Sequence, residues 1–236
     1  MELLPIPVIF EPDIRLATYD EIDDSFVDIY DYSRGNILVD PIYYANGRNG
    51  ATNRVFIRKL VADKLLNISD NLPNNYKLKI YDAWRSYYTQ KDLYDEHYNM
   101  VSSAVENLGK SEEELHTITK KFVSYPDKSK KFSFVHSSGG AVDLTIVDGN
   151  YNELDMGTKF DEFSNLSSTN AFENSDNDIV KNNRRLLFNA MIDAGFTNYT
   201  AEWWHYDYGD IFWSAITGNA AIYSSIYDIN DLNIEK

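Results

Sequence analysis

The chain has 236 residues, of which 43% are hydrophobic and 14% aromatic, and its formal net charge is −15 at pH 7. This composition is typical of a folded protein, and the length allows one sizeable core or at most two small ones. So acidic a surface argues against nucleic acid or a membrane as partner. The absence of cysteine excludes disulfides, thiolate metal ligands and a cysteine nucleophile. The amino terminus lacks the basic segment of a signal peptide and no apolar run reaches about 18 residues, so we predict a cytoplasmic protein.

The first half of the chain contains helical and strand patterns in turn. Apolar residues at helical spacing predict a helix over Arg54–Ile68, and alternating residues predict a strand over Tyr76–Trp84. A second helix, with its first turn capped by Ser86, is expected from about Ser86 to Leu108. Ser111, followed three residues later by Glu114, is a capping box and predicts the start of a third helix.

The second half repeats this mixture without a regular strand–helix–strand order. A strand is predicted over Gly139–Val147, and a helix over residues 177–194 that ends at Gly195. The tryptophan-rich residues 200–210 are predicted to be a third strand. The N-terminal part, residues 1–53, is predicted to be rich in loops, with short strands and long loops from Asp13 to about Asn53. The patterns favour a single α+β domain over residues 1–236, with a small, mostly antiparallel sheet flanked by helices.

The segment "HSSGGAVDLTIVDG" brings a histidine and a carboxylate onto one turn and strand. Asp143 points away from the apolar face that Val142, Leu144 and Ile146 form, because side chains alternate along a strand. The glycine-containing turn before it allows His136 to fold back towards Asp143. With one more histidine the pair would make a three-ligand zinc site, although a purely structural hydrogen bond between them explains this segment equally well.

The segment "TAEWWHYDYGD" contains His205 as the candidate third ligand and Glu202 three residues before it. A hydrolytic zinc site needs a carboxylate beside the bound water as general base. Residues three apart on a regular strand face opposite sides, so this hypothesis predicts a turn or bulge near Trp203. An aromatic core strand is the alternative reading of these residues.

Arg85, in "YDAWRSYYTQ", lies where a predicted strand ends and a helix begins. A guanidinium at such a position could stabilise the oxyanion of a tetrahedral intermediate, but a surface or salt-bridged arginine is the alternative. His97 and His116 lie on predicted helices outside these segments, and we predict structural roles for both.

Four segments in order resemble one family. "HSSGGAVDLTIV" and "EWWHYDY" are similar to the His-x-x-Gly-x-Ala-x-Asp and Glu-x-x-His signatures of zinc D,D-peptidases, and most of all to the VanX-type D-alanyl-D-alanine dipeptidases. "YDAWRS" resembles the family's Asp-x-x-Arg segment, and "DMGTKFDEFS" its Met-Gly-x-x-Phe-Asp segment. The run "NNRRLLFNAMIDAGFTNYTAEWWHY" continues the likeness into the last motif. The resemblance covers about Tyr76 to Tyr208, with a weaker match over Arg54–Leu65.

The resemblance implies the D,D-peptidase/Hedgehog-like α+β fold and zinc-dependent hydrolysis of D-Ala-D-Ala or a related D,D-dipeptide. It implies one zinc ion per chain, Glu202 as general base and then acid, and Arg85 as the group that stabilises the transition state. Asp161 matches the aspartate that holds the substrate's ammonium group. A tyrosine near the amino terminus should assist, for which we take Tyr32, with Tyr30 as the alternative. The implied zinc ligands are His136, Asp143 and His205.

The sequence departs from the family pattern at the expected carboxylate end of the substrate pocket. Phe134 stands two residues before the first histidine, where the family usually has serine. Ser138 and Gly140 stand where a basic residue and a serine are common. The catalytic residues are unaffected by these changes, but the identity of the C-terminal substrate residue stays open.

Three other functions remain as alternatives. A D,D- or L,D-carboxypeptidase or endopeptidase acting on longer peptidoglycan stems uses similar motifs, although Asp161 favours a substrate with a free amino group. A non-catalytic metal-binding protein would more often have four protein ligands than three. An acidic interaction module without zinc is the third alternative.

Overall fold

A computed structural model describes residues 3–8, 11, 13–162 and 164–235. Its main sheet has five strands in the order β2-β4-β5-β7-β6, and every neighbouring pair is antiparallel except β2 and β4. A separate antiparallel pair is formed by β1 and β3. The strands are β1 (Phe26–Asp28), β2 (Leu38–Val39), β3 (Phe56–Arg58), β4 (Lys77–Asp82), β5 (Ala141–Val147), β6 (Thr197–Asn198) and β7 (His205–Asp207).

Seven α-helices accompany these strands within the described residues, so the predicted α+β class with a small, mostly antiparallel sheet is confirmed. None of these helices is both long enough and apolar enough to cross a bilayer. The helices are α1 (Ile29–Tyr32), α2 (Ile42–Ala45), α3 (Lys59–Asn71), α4 (Tyr87–Ser103), α5 (Glu112–Thr119), α6 (Asp178–Asp193) and α7 (Ile211–Thr217).

Local capping explains where several helices begin and end. The Ser86 side chain accepts a hydrogen bond from the backbone of Thr89 at the start of α4, and the predicted capping box of Ser111 and Glu114 is present at α5. After α6 the backbone of Gly195 adopts a φ of +89°, which glycine allows without strain. The sequence signals at these three helix ends are therefore confirmed.

Three predicted elements are wrong at an end. The helix expected from Arg54 begins at Lys59, because the residues before it pair with β1 as strand β3. The helix expected to reach Leu108 ends at Ser103, where the next residue turns to an extended conformation. The strand expected over the tryptophans begins only at His205, after a turn.

The core lies between the main sheet and helices α3 and α6. Alternate residues of β4 and β5 point into it, including Ile80, Leu144 and Ile146, which are fully buried. Burial of each such side chain contributes about 1.5–3 kcal/mol to the free energy of folding. As predicted, Asp143 lies on the opposite face of β5, where its carboxylate contacts His136 and His205 rather than the core.

Candidate metal and catalytic site

Strand pairing brings the candidate ligands together. In the antiparallel register of β5 and β7, Asp143 lies directly opposite His205, so both side chains project from the same face. His136 comes from the short 3₁₀ turn before β5, and Gly139 reverses the chain there with a φ of +74°. One ligand atom from each of His136, Asp143 and His205 lies within 4.8 Å of the others, and all three residues are buried.

The hydrogen bonds around the two imidazoles leave lone pairs facing the centre of the cluster. His136 Nδ1 lies 2.8 Å from the carbonyl oxygen of Ala83, which can only accept, so this nitrogen donates. His205 Nε2 likewise donates to Asp207 Oδ1 at 2.9 Å. The other ring nitrogens face each other at 3.2 Å, and His205 Nδ1 lies 2.9 Å from Asp143 Oδ1. Three acceptors so arranged fit a cation, with the outer partners orienting the ligands.

The charges of the cluster favour a positive ion at its centre. Burial alone would raise the pKa of Asp143, but His136 and His205 outweigh it and hold the pKa below its usual range, so the carboxylate is ionised. Burial would lower the pKa of His205, yet Asp207 and Asp143 raise it well above the ordinary value. Two nitrogens and one carboxylate oxygen match zinc's preferred donors and leave the fourth position open.

The backbone turns between Glu202 and His205, as the metal hypothesis predicts. The Glu202 amide donates to the carbonyl of Tyr199 at 3.1 Å, and the His205 amide donates to the carbonyl of Glu202 at 3.3 Å. This turn brings Glu202 Oε2 to 4.0 Å from His205 Nδ1. The carboxylate thus lies beside the ligand cluster, which a regular strand would not allow.

The two tryptophans hold this turn in place. Trp203 and Trp204 are buried and their rings meet edge to face. Trp203 Nε1 donates to Thr158 Oγ1 at 2.9 Å, and the ring of Trp204 packs against Phe160. The tryptophans therefore connect the turn to Thr158 and Phe160, which lie just before Asp161 in the chain.

Glu202 has an environment suited to proton transfer. Its side chain is 25% exposed, and burial, reinforced by the charges of Asp143 and Asp161, raises its pKa to about 7 despite the opposing charges of His205 and Arg85. A general base works best when its pKa is close to the working pH.

Arg85 lies between the end of β4 and the start of α4, and it is not a surface residue. Its side chain is 10% exposed. Nε donates to Asp82 Oδ2 at 2.8 Å, Nη1 donates to Gln90 Oε1 at 2.8 Å, and Nη2 approaches Asp143 Oδ2 at 3.5 Å. The guanidinium is therefore held rigidly beside the ligand cluster.

Tyr43 on α2 is a site residue that the sequence did not reveal. Its hydroxyl lies 3.5 Å from Asp161 Oδ2 and 3.5 Å from Arg85 Nη2, and the side chain is buried. Burial also raises the pKa of Asp161. The available signal was weak, since "DPIYYANG" has no periodicity and only its tertiary position connects Tyr43 to the site.

The prediction for Tyr32 is corrected by the structure. Its hydroxyl donates to Asp63 on α3, so it points away from the ligand cluster. The alternative, Tyr30, is half-exposed beside Gly35. Both residues belong to α1, whereas Tyr43, the tyrosine that reaches the site, belongs to α2.

A cavity of about 430 Å³ opens onto the cluster. All predicted site residues except Tyr32 line it, together with Tyr43 and Phe134. Ser138 and Gly140, expected at its carboxylate end, are not among the lining residues. The Ser138 hydroxyl is bonded within its own turn, and a Cβ at Gly140 would lie 2.3 Å from the carbonyl oxygen of Tyr208.

The remaining histidines lie outside the ligand cluster. His116 Nδ1 forms a 2.7 Å hydrogen bond with the Tyr94 hydroxyl, which joins α5 to α4. His97 lines the outer part of the cavity, and burial lowers its pKa. Their structural roles stay predictions.

A family model for peptidase M15, described as D-Ala-D-Ala dipeptidase, matches residues 47–220, well over half of the chain. The chain belongs to this family. The dipeptidase-family segment includes every predicted site residue except Tyr32. The resemblance inferred from the four motifs is confirmed, and the match extends further towards the amino terminus than the motifs did.

Curated dipeptidase relatives match over different lengths. The D-alanyl-D-alanine dipeptidase of Synechocystis sp. is 26% identical over 182 residues, which cover 71% of this chain and 73% of that protein. The enzyme of the same name from Escherichia coli is 42% identical over 72 residues, or 30% of this chain and 36% of that protein. The D-alanyl-D-alanine dipeptidase of Enterococcus faecalis is 30% identical over 137 residues, which cover 56% of this chain and 61% of that protein.

A solved structure of a related activity class is among those similar to this dipeptidase-family chain. It is a mutant of the vancomycin-resistance D,D-pentapeptidase VanY in complex with Zn(II). The match has 17% sequence identity and a TM-score of 0.40, and it covers 73% of this chain and 85% of that one.

Proposed function

We propose that this protein is a zinc-dependent dipeptidase that hydrolyses D-Ala-D-Ala or a closely related D,D-dipeptide. The observation that carries the proposal is the convergence of three buried ligand atoms, an adjacent glutamate and a fixed arginine on one cavity. The dipeptidase family model and the names of the curated relatives support the same substrate.

Metal ligation is assigned to His136, Asp143 and His205, with one zinc ion per chain. When bound, zinc supplies Lewis-acid chemistry, since it polarises a carbonyl and lowers the pKa of water from about 15.7 to roughly 7. Ala83 and Asp207 hold the two imidazoles in the tautomers that ligation needs.

Glu202 acts as the general base and then the general acid. Its carboxylate accepts the proton of the attacking water, whose hydroxyl adds to the carbonyl carbon of the peptide bond. It then donates this proton to the leaving amine as the carbon–nitrogen bond breaks. The turn through Trp203 fixes the carboxylate beside the ligands, so proton transfer needs no rearrangement of the backbone.

Arg85 stabilises the negative charge that develops on the carbonyl oxygen. Asp82 holds both Nε and Nη2 of its guanidinium, Gln90 holds Nη1, and Nη2 also lies 3.5 Å from Asp143 Oδ2 in the ligand cluster. A donor that is already oriented stabilises the transition state without reorganisation. The Tyr43 hydroxyl, 3.5 Å from Nη2, assists this donor, in the role that the sequence assigned to Tyr32.

Asp161 binds the free ammonium group of the substrate. Its carboxylate is half-buried in the cavity next to Tyr43, and a cation entering there would relieve the cost of its burial. This assignment distinguishes a dipeptidase from a carboxypeptidase, because a blocked amino terminus has no charge to pair with Asp161.

The test is hydrolysis of D-Ala-D-Ala beside N-acetyl-D-Ala-D-Ala by wild-type protein and by Glu202→Gln. We expect wild type to cleave the free dipeptide only, and Glu202→Gln to lose about 10²–10⁴-fold in kcat while it still binds zinc. Cleavage of the acetylated peptide instead would assign the protein to the carboxypeptidases. Zinc binding without cleavage of either peptide would favour a non-catalytic protein.

A further inference from the structure

The cavity continues beyond the candidate ligands along one face of α4. Gln90, Leu93, His97 and Met100 line it at the spacing of a single helical face. Gln90 accepts a hydrogen bond from Arg85 at the catalytic end, whereas Met100 is 57% exposed at the mouth. At about 1.5 Å per residue these two positions lie roughly 15 Å apart along the helix. An extended dipeptide spans only about 7 Å.

The segment that follows α5 forms the facing wall of this outer part. Lys120, Lys121 and Phe122 line it, and the ring of Phe122 lies 5.1 Å from that of His97. Because His97 follows Gln90 by two turns of α4, this wall crosses the helix about 10 Å beyond the catalytic end. The outer part of the cavity therefore combines apolar side chains with the cations of Lys120 and Lys121. Arg48 and Glu96 also line the cavity, but they form an ion pair with each other and add no net charge.

The two ends of the cavity carry opposite charges. Lys120 and Lys121 are exposed, and neither forms an ion pair with a carboxylate in the part of the chain that the structure describes. The Lys120 ammonium lies 5.6 Å from the centre of the Tyr125 ring. At the catalytic end Asp161 provides a half-buried carboxylate. A molecule with an ammonium group at one end and a carboxylate at the other matches this polarity.

We propose that the cavity also accepts tripeptides of D-residues with a free amino terminus and that the protein cleaves their first peptide bond. Three extended residues span about 10 Å. This is also the distance along α4 from the catalytic end to the wall formed by Lys120, Lys121 and Phe122, which we call the lysine wall. With the ammonium group at Asp161, the terminal carboxylate reaches Lys120 and Lys121, and the last side chain contacts Met100 and Phe122.

The chemistry is that of the proposed function, on which this inference rests. Water adds across the first peptide bond, so that its hydroxyl joins the carbonyl carbon and a proton joins the leaving nitrogen. The products are one free D-amino acid and one dipeptide. The only difference from dipeptide hydrolysis is the additional residue in the outer part of the cavity.

The test uses D-Ala-D-Ala-D-Leu beside D-Ala-D-Ala, with the products identified by mass. We expect the zinc-loaded protein to release D-Ala and D-Ala-D-Leu from the tripeptide. Replacing both lysines, Lys120→Ala with Lys121→Ala, should lower kcat/KM for the tripeptide about fivefold and leave that for the dipeptide unchanged. The control pair Lys128→Ala with Lys130→Ala changes the net charge equally outside the cavity and should affect neither substrate.

A second variant tests the length of the cavity independently of charge. Met100→Trp fills the outer part from an exposed position, and it should reduce hydrolysis of the tripeptide but not of the dipeptide.

Four results would count against the inference or against the function on which it rests. Cleavage of D-Ala-D-Ala but not of the tripeptide would refute it and leave the proposed function intact, whereas cleavage of neither would refute the proposed function itself. Release of D-Leu from N-acetyl-D-Ala-D-Ala-D-Leu would mean that the outer part holds the amino side of the substrate. An equal loss of kcat/KM for the tripeptide and the dipeptide in the lysine variant would mean that Lys120 and Lys121 do not bind the tripeptide's carboxylate.

Discussion

Replacement of Glu202 by glutamine should stabilise the metal-free protein at alkaline pH. Below about pH 4.5 the carboxyl group is protonated in both the folded and the unfolded chain, so it does not affect stability. As the pH rises towards 7 the unfolded chain ionises first, because burial raises the folded-state pKa from 4.5 to about 7. Above pH 7 the folded protein therefore carries the full cost of this buried charge.

The magnitude follows from the difference between the two pKa values. Each pKa unit corresponds to about 1.4 kcal/mol, so the difference between 4.5 and about 7 gives an upper value of about 3–4 kcal/mol. Since the side chain is 25% exposed, solvent reduces this cost, and we expect about 2 kcal/mol. For a chain of this size that corresponds to an increase in Tm of about 4–8 °C.

The assay is thermal unfolding of chelator-treated wild type and Glu202→Gln at pH 4 and pH 8. The two proteins should have the same Tm at pH 4, and the variant should have the higher Tm at pH 8. The control, Glu113→Gln on the exposed first turn of α5, should change the stability by less than about 0.5 kcal/mol at either pH. Equal stability of Glu202→Gln and wild type at pH 8 would refute the buried-charge argument.

Two further variants test the site, and a third tests the packing of the fold. Arg85→Met should lower kcat about 10²–10³-fold with little change in zinc affinity, as measured by steady-state kinetics and metal titration. Asp161→Asn should raise KM for D-Ala-D-Ala more than it lowers kcat. A KM equal to that of wild type would contradict the role of Asp161 in binding the ammonium group. Arg184→Met should destabilise the fold by about 3 kcal/mol in denaturant unfolding, because it leaves the carbonyls of residues 156, 166 and 168 without their donor. Arg185→Met, at a partly exposed ion pair, is its control and should cost about 1 kcal/mol or less.

The part of the site that the sequence predicted depends on short-range rules. The alternation of side chains along a strand correctly predicted that Asp143 points away from the core. The three-residue spacing of Glu202 and His205 correctly predicted a turn between them. Capping residues likewise located the starts of α4 and α5. These features follow from local geometry, which a few neighbouring residues determine.

The part that the sequence missed depends on tertiary contacts. Tyr43 reaches the site only because α2 packs near the end of β4, and nothing in its neighbourhood distinguishes it from Tyr32. Similarly, residues 56–58 have an apolar pattern that suits a helix, but pairing with β1 makes them a strand. The lysine wall of the cavity comes from a segment after α5 that has no motif of its own.

Chelation and re-addition of zinc test the central claim most directly. Release of free D-alanine from D-Ala-D-Ala would be measured for the purified protein, after exhaustive chelation, and after the addition of one equivalent of zinc. The account predicts activity that is lost with the metal and restored in full at one zinc ion per chain. Unchanged D-alanine release after verified removal of the metal, or no release from protein with zinc bound at His136, Asp143 and His205, would contradict it.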